Sequence, residues 1–277
     1  MRTRHRSFAA PFILVLVLVL LVAVAASAPA QQPPLDAVMH GFQSSGTYVL
    51  TIDGKAADAE IFESNLPAVL VIAPALPTPV LLRPGKATVE TVPVAKVARQ
   101  GDGSVGLLAD AELAPLGKFK PVGAGVVFAY GGKQVSLDPK PPLLGLHAAA
   151  ELLEHDPAYA RNAAEYQPGP TSLAALRAAS TPVTVRVFFG SWCPFCKLRV
   201  PRLLAAEAAL AGSNVAVEYF GLPNPPAAWK DPEATRLKVS SVPTAIVFVD
   251  GKAIGRLVGE DWNAPEVALA RLAASRP

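Results

Sequence analysis

The sequence predicts an α/β domain at its C-terminal end, a central mixed sheet flanked by helices, preceded by a smaller β-rich domain. Three observations predict this. Residues 171–277 alternate between helical and strand patterns, with a β-α-β-α-β-β-α order after an opening helix. Residues 41–138 instead hold many short apolar runs punctuated by Gly and Pro, which suggests a small sandwich or open barrel. Between them, Asp138-Pro139-Lys140-Pro141-Pro142 is a stiff break.

The chain has 277 residues, enough for about two domains. It opens with Arg2, Arg4, His5 and Arg6, then an unbroken apolar run from Phe12 to Ala25. That run has the length of a signal-peptide core rather than the roughly 20 residues of a spanning helix. Ala28-Pro29-Ala30 supplies a small-x-small cleavage site, so residues 1–30 read as a signal peptide. An uncleaved N-terminal membrane anchor is the alternative. No cysteine follows the run, which excludes a lipid-anchored form, and no adjacent arginine pair is present. The net charge of +3 lies in this leader: residues 1–30 carry three arginines and no acid, so the remainder holds 22 charges of each sign. A neutral chain argues against nucleic acid as a partner.

In the β-rich part (31–140), residues 47–52 lead into Asp53-Gly54, a strong hairpin signal. Strands are predicted at 68–72, 80–82 and 88–92. Residues 125–130, Gly131-Gly132 and 133–137 read as a second hairpin. The role of this part is not legible in its residues; a binding or docking domain is the plain reading. Residues 141–170 read as a helical connector, with helices at 144–153 and 157–165 ended by Pro168-Gly169-Pro170. His147, Glu151 and His155 share one helical face there, but no fourth ligand is near and no metal site is assigned.

From 171 a helix opens with Thr171 or Ser172 as its cap. A buried strand follows at 183–189, then a helix ending near Gly212, then a strand at 214–220. Parallel strands joined by a crossover helix are the reading. A short helix at 232–239 precedes the 244–249/252–258 hairpin, turned at Asp250-Gly251, and a final amphipathic helix spans 264–275.

Trp192-Cys193-Pro194-Phe195-Cys196 lies at the junction of the 183–189 strand and the helix after it, and holds both cysteines of the chain. At a strand-to-helix junction this spacing is a redox signature rather than a metal one. As a structural staple the pair closes too short a loop to constrain the unfolded chain. Lys197, rather than His, follows Cys196, which excludes haem attachment.

With Pro201 five residues past Cys196, Ser241-Val242-Pro243-Thr244, the Asp250-Gly251-Lys252 hairpin, Gly255 and Val258-Gly259, residues 171–277 resemble the thioredoxin superfamily. With the leader, the exported TlpA-like and ResA-like thiol-disulfide oxidoreductases are the most similar types. The resemblance implies a thiol-disulfide oxidoreductase whose redox-active group is the Cys193–Cys196 disulfide, with no other cofactor. It implies protein thiols or disulfides as substrates, and a membrane or periplasmic protein as electron donor. It also implies that Pro243 is cis, that Val242 offers backbone groups to a substrate chain, and that Trp192 shields the disulfide. Two departures stand out. The place of the superfamily's buried acid, six residues before the first cysteine, holds Val187, and Glu218 on the neighbouring strand is the available substitute. The dipeptide Pro194-Phe195 is more like that of glutaredoxins.

Cys193, at the mouth of the helix, is then the exposed attacking thiol, its pKa lowered by the unpaired N–H groups and macrodipole. Pro194 fits the first turn, where its missing N–H has no helical partner to lose. Phe195 is exposed by position and offers an apolar contact. Cys196, one turn in, is the resolving thiol. Export to the periplasm or beyond, and a reductant or isomerase direction, complete the expectation. The alternative is a client-binding or chaperone-like protein in which the β-rich domain is the functional part.

Overall fold

A computed structural model describes residues 39–275. The leader and its cleavage site lie outside the described residues. Among the described residues no helix is long and apolar enough to cross a membrane.

The β-rich part is two sheets and a ribbon. Six strands run in the order Gln43–Ser44, Glu60–Glu63, Val69–Ile72, Val80–Arg83, Thr88–Thr91, Ala114–Lys118. Five more run Lys120–Val122, Gly125–Tyr130, Lys133–Pro139, Tyr48–Ile52, Lys55–Ala57. All pairings are antiparallel. The six-stranded sheet is apolar on both faces, which is why 69–72 and 80–82 read as unbroken apolar runs. Val71, Val80, Leu82 and Val89 pack on Leu50, Phe128, Val135 and Leu137 of the other sheet. Leu70 and Leu81, one residue out of phase, join Phe42, Val92, Val105 and Leu107 beneath the Val97–Arg99/Val105–Leu107 ribbon. The hairpin turns hold their expected residues in left-handed backbone, with φ of 50° and 76° at Asp53-Gly54 and of 58° and 75° at Gly131-Gly132.

The second part is a five-stranded mixed sheet in the order Gly145–His147, Val215–Gly221, Val183–Phe189, Thr244–Val249, Lys252–Leu257. Only the Val183–Phe189 and Val215–Gly221 pairing is parallel. The helix Pro194–Ala209 makes the crossover. Strand alternation divides the core. Val183, Val185, Val187 and Phe189 face Leu152, Tyr159, Leu173, Cys196, Val200 and Leu203. Phe188 and Ile246 point the other way, onto Leu222, Ala228 and Ala234.

Two expectations need correction. Residues 145–147 are not helical: Gly145 has φ 79° and the segment pairs antiparallel with Val215–Gly221 as an edge strand. The helix begins only at Ala149. The stretch 141–170 packs on the second part, adding an edge strand to its sheet and Leu152 and Tyr159 to its core. Second, neither Thr171 nor Ser172 caps a helix. Pro170 occupies the first turn after Gly169, whose N–H donates to the buried Glu266 (3.0 Å).

The described residues fall within one compact unit. Gly46 sits where the β-rich part meets the start of the Pro157–Ala164 helix. A Cβ there would lie 2.5 Å from the His155 carbonyl oxygen and 2.8 Å from the Asp156 Cα. Both are backbone atoms that cannot step aside. Gly46→Ala is expected to destabilise by about 1–3 kcal/mol. At ~2–4 °C per kcal/mol for a chain of this size, a thermal melt should fall by several degrees.

Candidate active site

The strand Val183–Phe189 ends at Gly190, and the loop Ser191-Trp192 delivers Cys193 to the N-cap of Pro194–Ala209. Gly190 is required because a Cβ there would overlap the Trp192 ring, 2.4 Å from Cε2. Trp192 is fixed by its indole N–H donating to the Leu222 carbonyl (3.0 Å). Pro194 takes the first helical position, and the Cys196 and Lys197 N–H groups both donate to the Cys193 carbonyl (3.1 Å each). Across from the pair, the Val242–Pro243 peptide is cis. The Cys193 thiol reaches toward the Val242 carbonyl oxygen at 3.9 Å.

Sequence reasoning placed Cys193 at the surface; only 5% of it is exposed, and none of Cys196. Cys193 lies in the same core cluster as Cys196 with Trp192 and Val242 packed against it, which removes the exposure that a helix N-terminus alone suggests. Phe195 is 63% exposed and lies under the Arg199 guanidinium (5.9 Å to the ring centroid).

The two thiols differ electrostatically. The hydrogen bond from the Cys196 thiol, then the N–H groups of Cys196 and Phe195 and the charge of Lys197, outweigh burial and pull the Cys193 thiol down to about 6. Burial, and then the neighbouring Cys193 sulfur, push Cys196 well above an ordinary thiol. Alkylation of the reduced protein by iodoacetamide is therefore expected to occur first at Cys193. Its rate should be half-maximal below the pH of about 8.5 that a free cysteine needs. Alkylation that follows an ordinary thiol curve would contradict this geometry.

Glu218 does not serve the thiols. It pairs in register with Arg186, one residue out of phase with Val187, on the other face of the sheet. Its carboxylate accepts from Arg186 Nη2 at 2.7 Å, and Arg186 Nη1 also binds Glu233 (2.5 Å). The residue of that strand facing the cysteine side is Tyr219, fully buried, its hydroxyl donating to Glu207 Oε2 (2.6 Å). His147, placed on a metal-like face in the sequence, has both ring nitrogens engaged, by Glu151 (2.9 Å) and the Leu144 carbonyl (3.1 Å).

Sequence reasoning missed a polar knot beside the thiols. Asp156, 1% exposed, accepts from Lys197 Nζ (2.7 Å) and from the N–H groups of Ala158 (2.9 Å) and Gly46 (3.2 Å). Lys197 also reaches Thr47 Oγ1 (3.1 Å), and Asn162 donates to the Lys197 carbonyl (2.7 Å). Burial would raise the Asp156 carboxyl, but the Lys197 bond and the two N–H donors together lower it. The residue after the second cysteine is thereby tied to both the β-rich part and the 157–164 helix. An Asp-Pro cap signal marks position 156 in the sequence, but nothing local marks Lys197 as its partner.

Against known proteins, the chain is 39% identical over 72 residues to thioredoxin of Chlamydia caviae, covering 26% of this chain and 64% of that one. It is 38% identical over 73 residues to thioredoxin of Chlamydia trachomatis, with the same coverage of each. Over that stretch the chain is similar to these thioredoxins. It spans 64% of the length of these curated relatives. Among solved structures, thioredoxin O2 from Arabidopsis thaliana in its oxidised state aligns at 24% identity, over 37% of this chain and 84% of that one, with a TM-score of 0.27. No family model matches the chain.

Proposed function

We propose that the protein is an exported thiol-disulfide oxidoreductase that exchanges disulfides with protein substrates through Cys193 and Cys196. The observation that carries this reading is the split between the two thiols: one lowered at a helix N-terminus, the other buried behind it and raised. The Cys193 thiolate attacks one sulfur of a substrate disulfide, and the other substrate sulfur leaves as a thiolate. A Cys193–substrate disulfide results. Cys196, deprotonated, then attacks the Cys193 sulfur and expels the second substrate thiolate. The substrate gains two electrons, and the protein is left with a Cys193–Cys196 disulfide as its only redox group. A membrane or periplasmic electron-donor protein returns it to the dithiol.

Trp192, Pro194, Phe195, Val242 and Pro243 form the substrate contact in this reading. The exposed Phe195 and Leu198 offer apolar surface, and Val242 offers backbone groups for strand-like pairing. The dipeptide between the cysteines holds no histidine, which favours a reductant or isomerase over a strong oxidant. Export through residues 1–30 places the reaction in the periplasm or a similar compartment. Insulin reduction with dithiothreitol tests this. The protein should accelerate it, and Cys193→Ser should return it to the uncatalysed rate.

A second reading, client binding by the β-rich part, is favoured by one feature. An apolar groove of about 580 Å³ is lined by Ile72, Ala73, Leu76, Pro77 and Val94. If Cys193→Ser kept full function while loss of residues 31–140 abolished it, that reading would stand instead.

A further inference from the structure

Tyr159 is fully buried, yet its hydroxyl has no hydrogen-bond partner. Such groups are rare in protein interiors and need a reason. Its surroundings supply one. Tyr159 lies in the same core cluster as Cys193 and Cys196. Its ring stands edge-on to Phe189 (centroids 6.5 Å apart), near the end of the strand that delivers the cysteines. Its helix, Pro157–Ala164, is clamped to the residue after Cys196 by Asp156 and Asn162. Asp156, the nearest carboxylate to this helix start, is already occupied by Lys197, Gly46 and Ala158. Burial, then the charges of Cys196, Asp156 and Cys193, raise the phenol strongly, so it keeps its proton and has a donor to offer.

In the free dithiol, Cys196 gives its hydrogen bond to Cys193. That arrangement ends when Cys193 is joined to a substrate sulfur. Cys196 must then ionise in an apolar core whose central strand carries Val187 where an acid is absent. We propose that Tyr159 is the hydrogen-bond donor to the Cys196 thiolate at this stage, and so promotes the resolving half of the exchange. The inference rests on the redox reading of the cysteine pair. The proton leaves Cys196 for solvent, the thiolate attacks Cys193, and Tyr159 retains its own proton throughout. The ionisable groups whose charge bears on Tyr159 are Cys196 and Cys193 at the start of one helix and Asp156, paired with Lys197, at the start of its own.

Dithiobis-nitrobenzoate separates the two halves. The first nitrothiobenzoate is released when Cys193 attacks the reagent, the second when Cys196 attacks Cys193. In Tyr159→Phe the first release should keep its rate. A hydrogen bond to a charged group shifts the thiolate population by about tenfold or more. A less stabilised thiolate is also more nucleophilic, with a slope of about 0.4–0.5. The second release should therefore slow about threefold at neutral pH and become faster than in the unsubstituted protein at a pH where Cys196 is fully ionised. This crossing of the pH profiles is something a packing role would not produce. The variant removes only an unpartnered hydroxyl, so its melting temperature should stay or rise. If the unsubstituted protein gives no second release, the redox reading itself fails. If it gives both and Tyr159→Phe leaves the second rate and its pH profile unchanged, Tyr159 has no such role and the redox reading stands.

Discussion

A Cys196→Ser variant is expected to accumulate one covalent substrate adduct per chain, joined through Cys193, and a Cys193→Ser variant to form none. The asymmetry follows from the site. Cys193 alone is held at the helix N-terminus with N–H groups and Lys197 favouring its ionised form. Cys196 has no exposed surface, so no substrate disulfide can reach it directly. With Cys196 gone, nothing behind the mixed disulfide can attack it. Mass spectrometry of each variant after exposure to a disulfide-bonded protein reads this out. Alanine for Cys196 removes the donor whose hydrogen bond is the largest cause of the lowered Cys193 value, so Cys196→Ala should alkylate with a higher pKa than the unsubstituted protein. Adducts carried by Cys196 in the Cys193→Ser chain would reverse the assignment.

The second large effect is expected at Lys197. Lys197→Met leaves the Asp156 carboxylate, 1% exposed, without its ion-pair partner. Breaking a buried pair by removing one member destabilises by about 3–5 kcal/mol. The remaining N–H bonds from Gly46 and Ala158 place the expected loss near the lower end, about 3 kcal/mol. The pH dependence has a definite sign. In the unsubstituted protein the Asp156 value is lowered, so its contribution is present above the ordinary carboxyl range and is lost as the pH falls through the lowered value. In Lys197→Met, burial dominates and the folded-state value rises above the unfolded one. The deficit is then largest at neutral pH and relieved on acidification. The melting-temperature gap between the two proteins should therefore narrow from pH 7 towards pH 4. The double variant Lys197→Met/Asp156→Leu should recover much of the loss, because an apolar pair replaces an ion pair rather than half of one. A constant gap would mean that Asp156 and Lys197 are not coupled.

What the sequence discloses here follows the range of each signal. Hairpins marked by Asp53-Gly54, Gly131-Gly132 and Asp250-Gly251 are local, because two residues in left-handed backbone fix the turn. The cysteine site is also local: strand, motif and helix are contiguous, and Cys193 and Cys196 lie one helical turn apart at the helix start. Short strands such as Glu60–Glu63 and Val105–Leu107 were not legible. They carry three or four residues each: Glu60–Glu63 owes its strand state to a strand on either side, and Val105–Leu107 to Val97–Arg99 and a bridge to Phe42. The edge strand Gly145–His147 was masked by an apolar run that continues into a genuine helix. Asp156 and Tyr159 were illegible as site residues because each meets the cysteine-bearing helix or its core across some 40 positions of chain, through helix packing that no local pattern reports. Glu218 was a fair substitute by strand proximity, and period-two alternation removed it: its register partner is Arg186, and Val187 faces the cysteines.

The most direct measurement is equilibration of the protein in glutathione buffers of stepped redox ratio, followed by counting free thiols by mass. The two thiols should disappear together as a Cys193–Cys196 disulfide, with a midpoint in the range of roughly −270 to −120 mV spanned by catalytic dithiols of this type. Thiols that vanish one at a time as glutathione adducts, or a disulfide that stays closed below about −300 mV as structural ones do, would contradict the account.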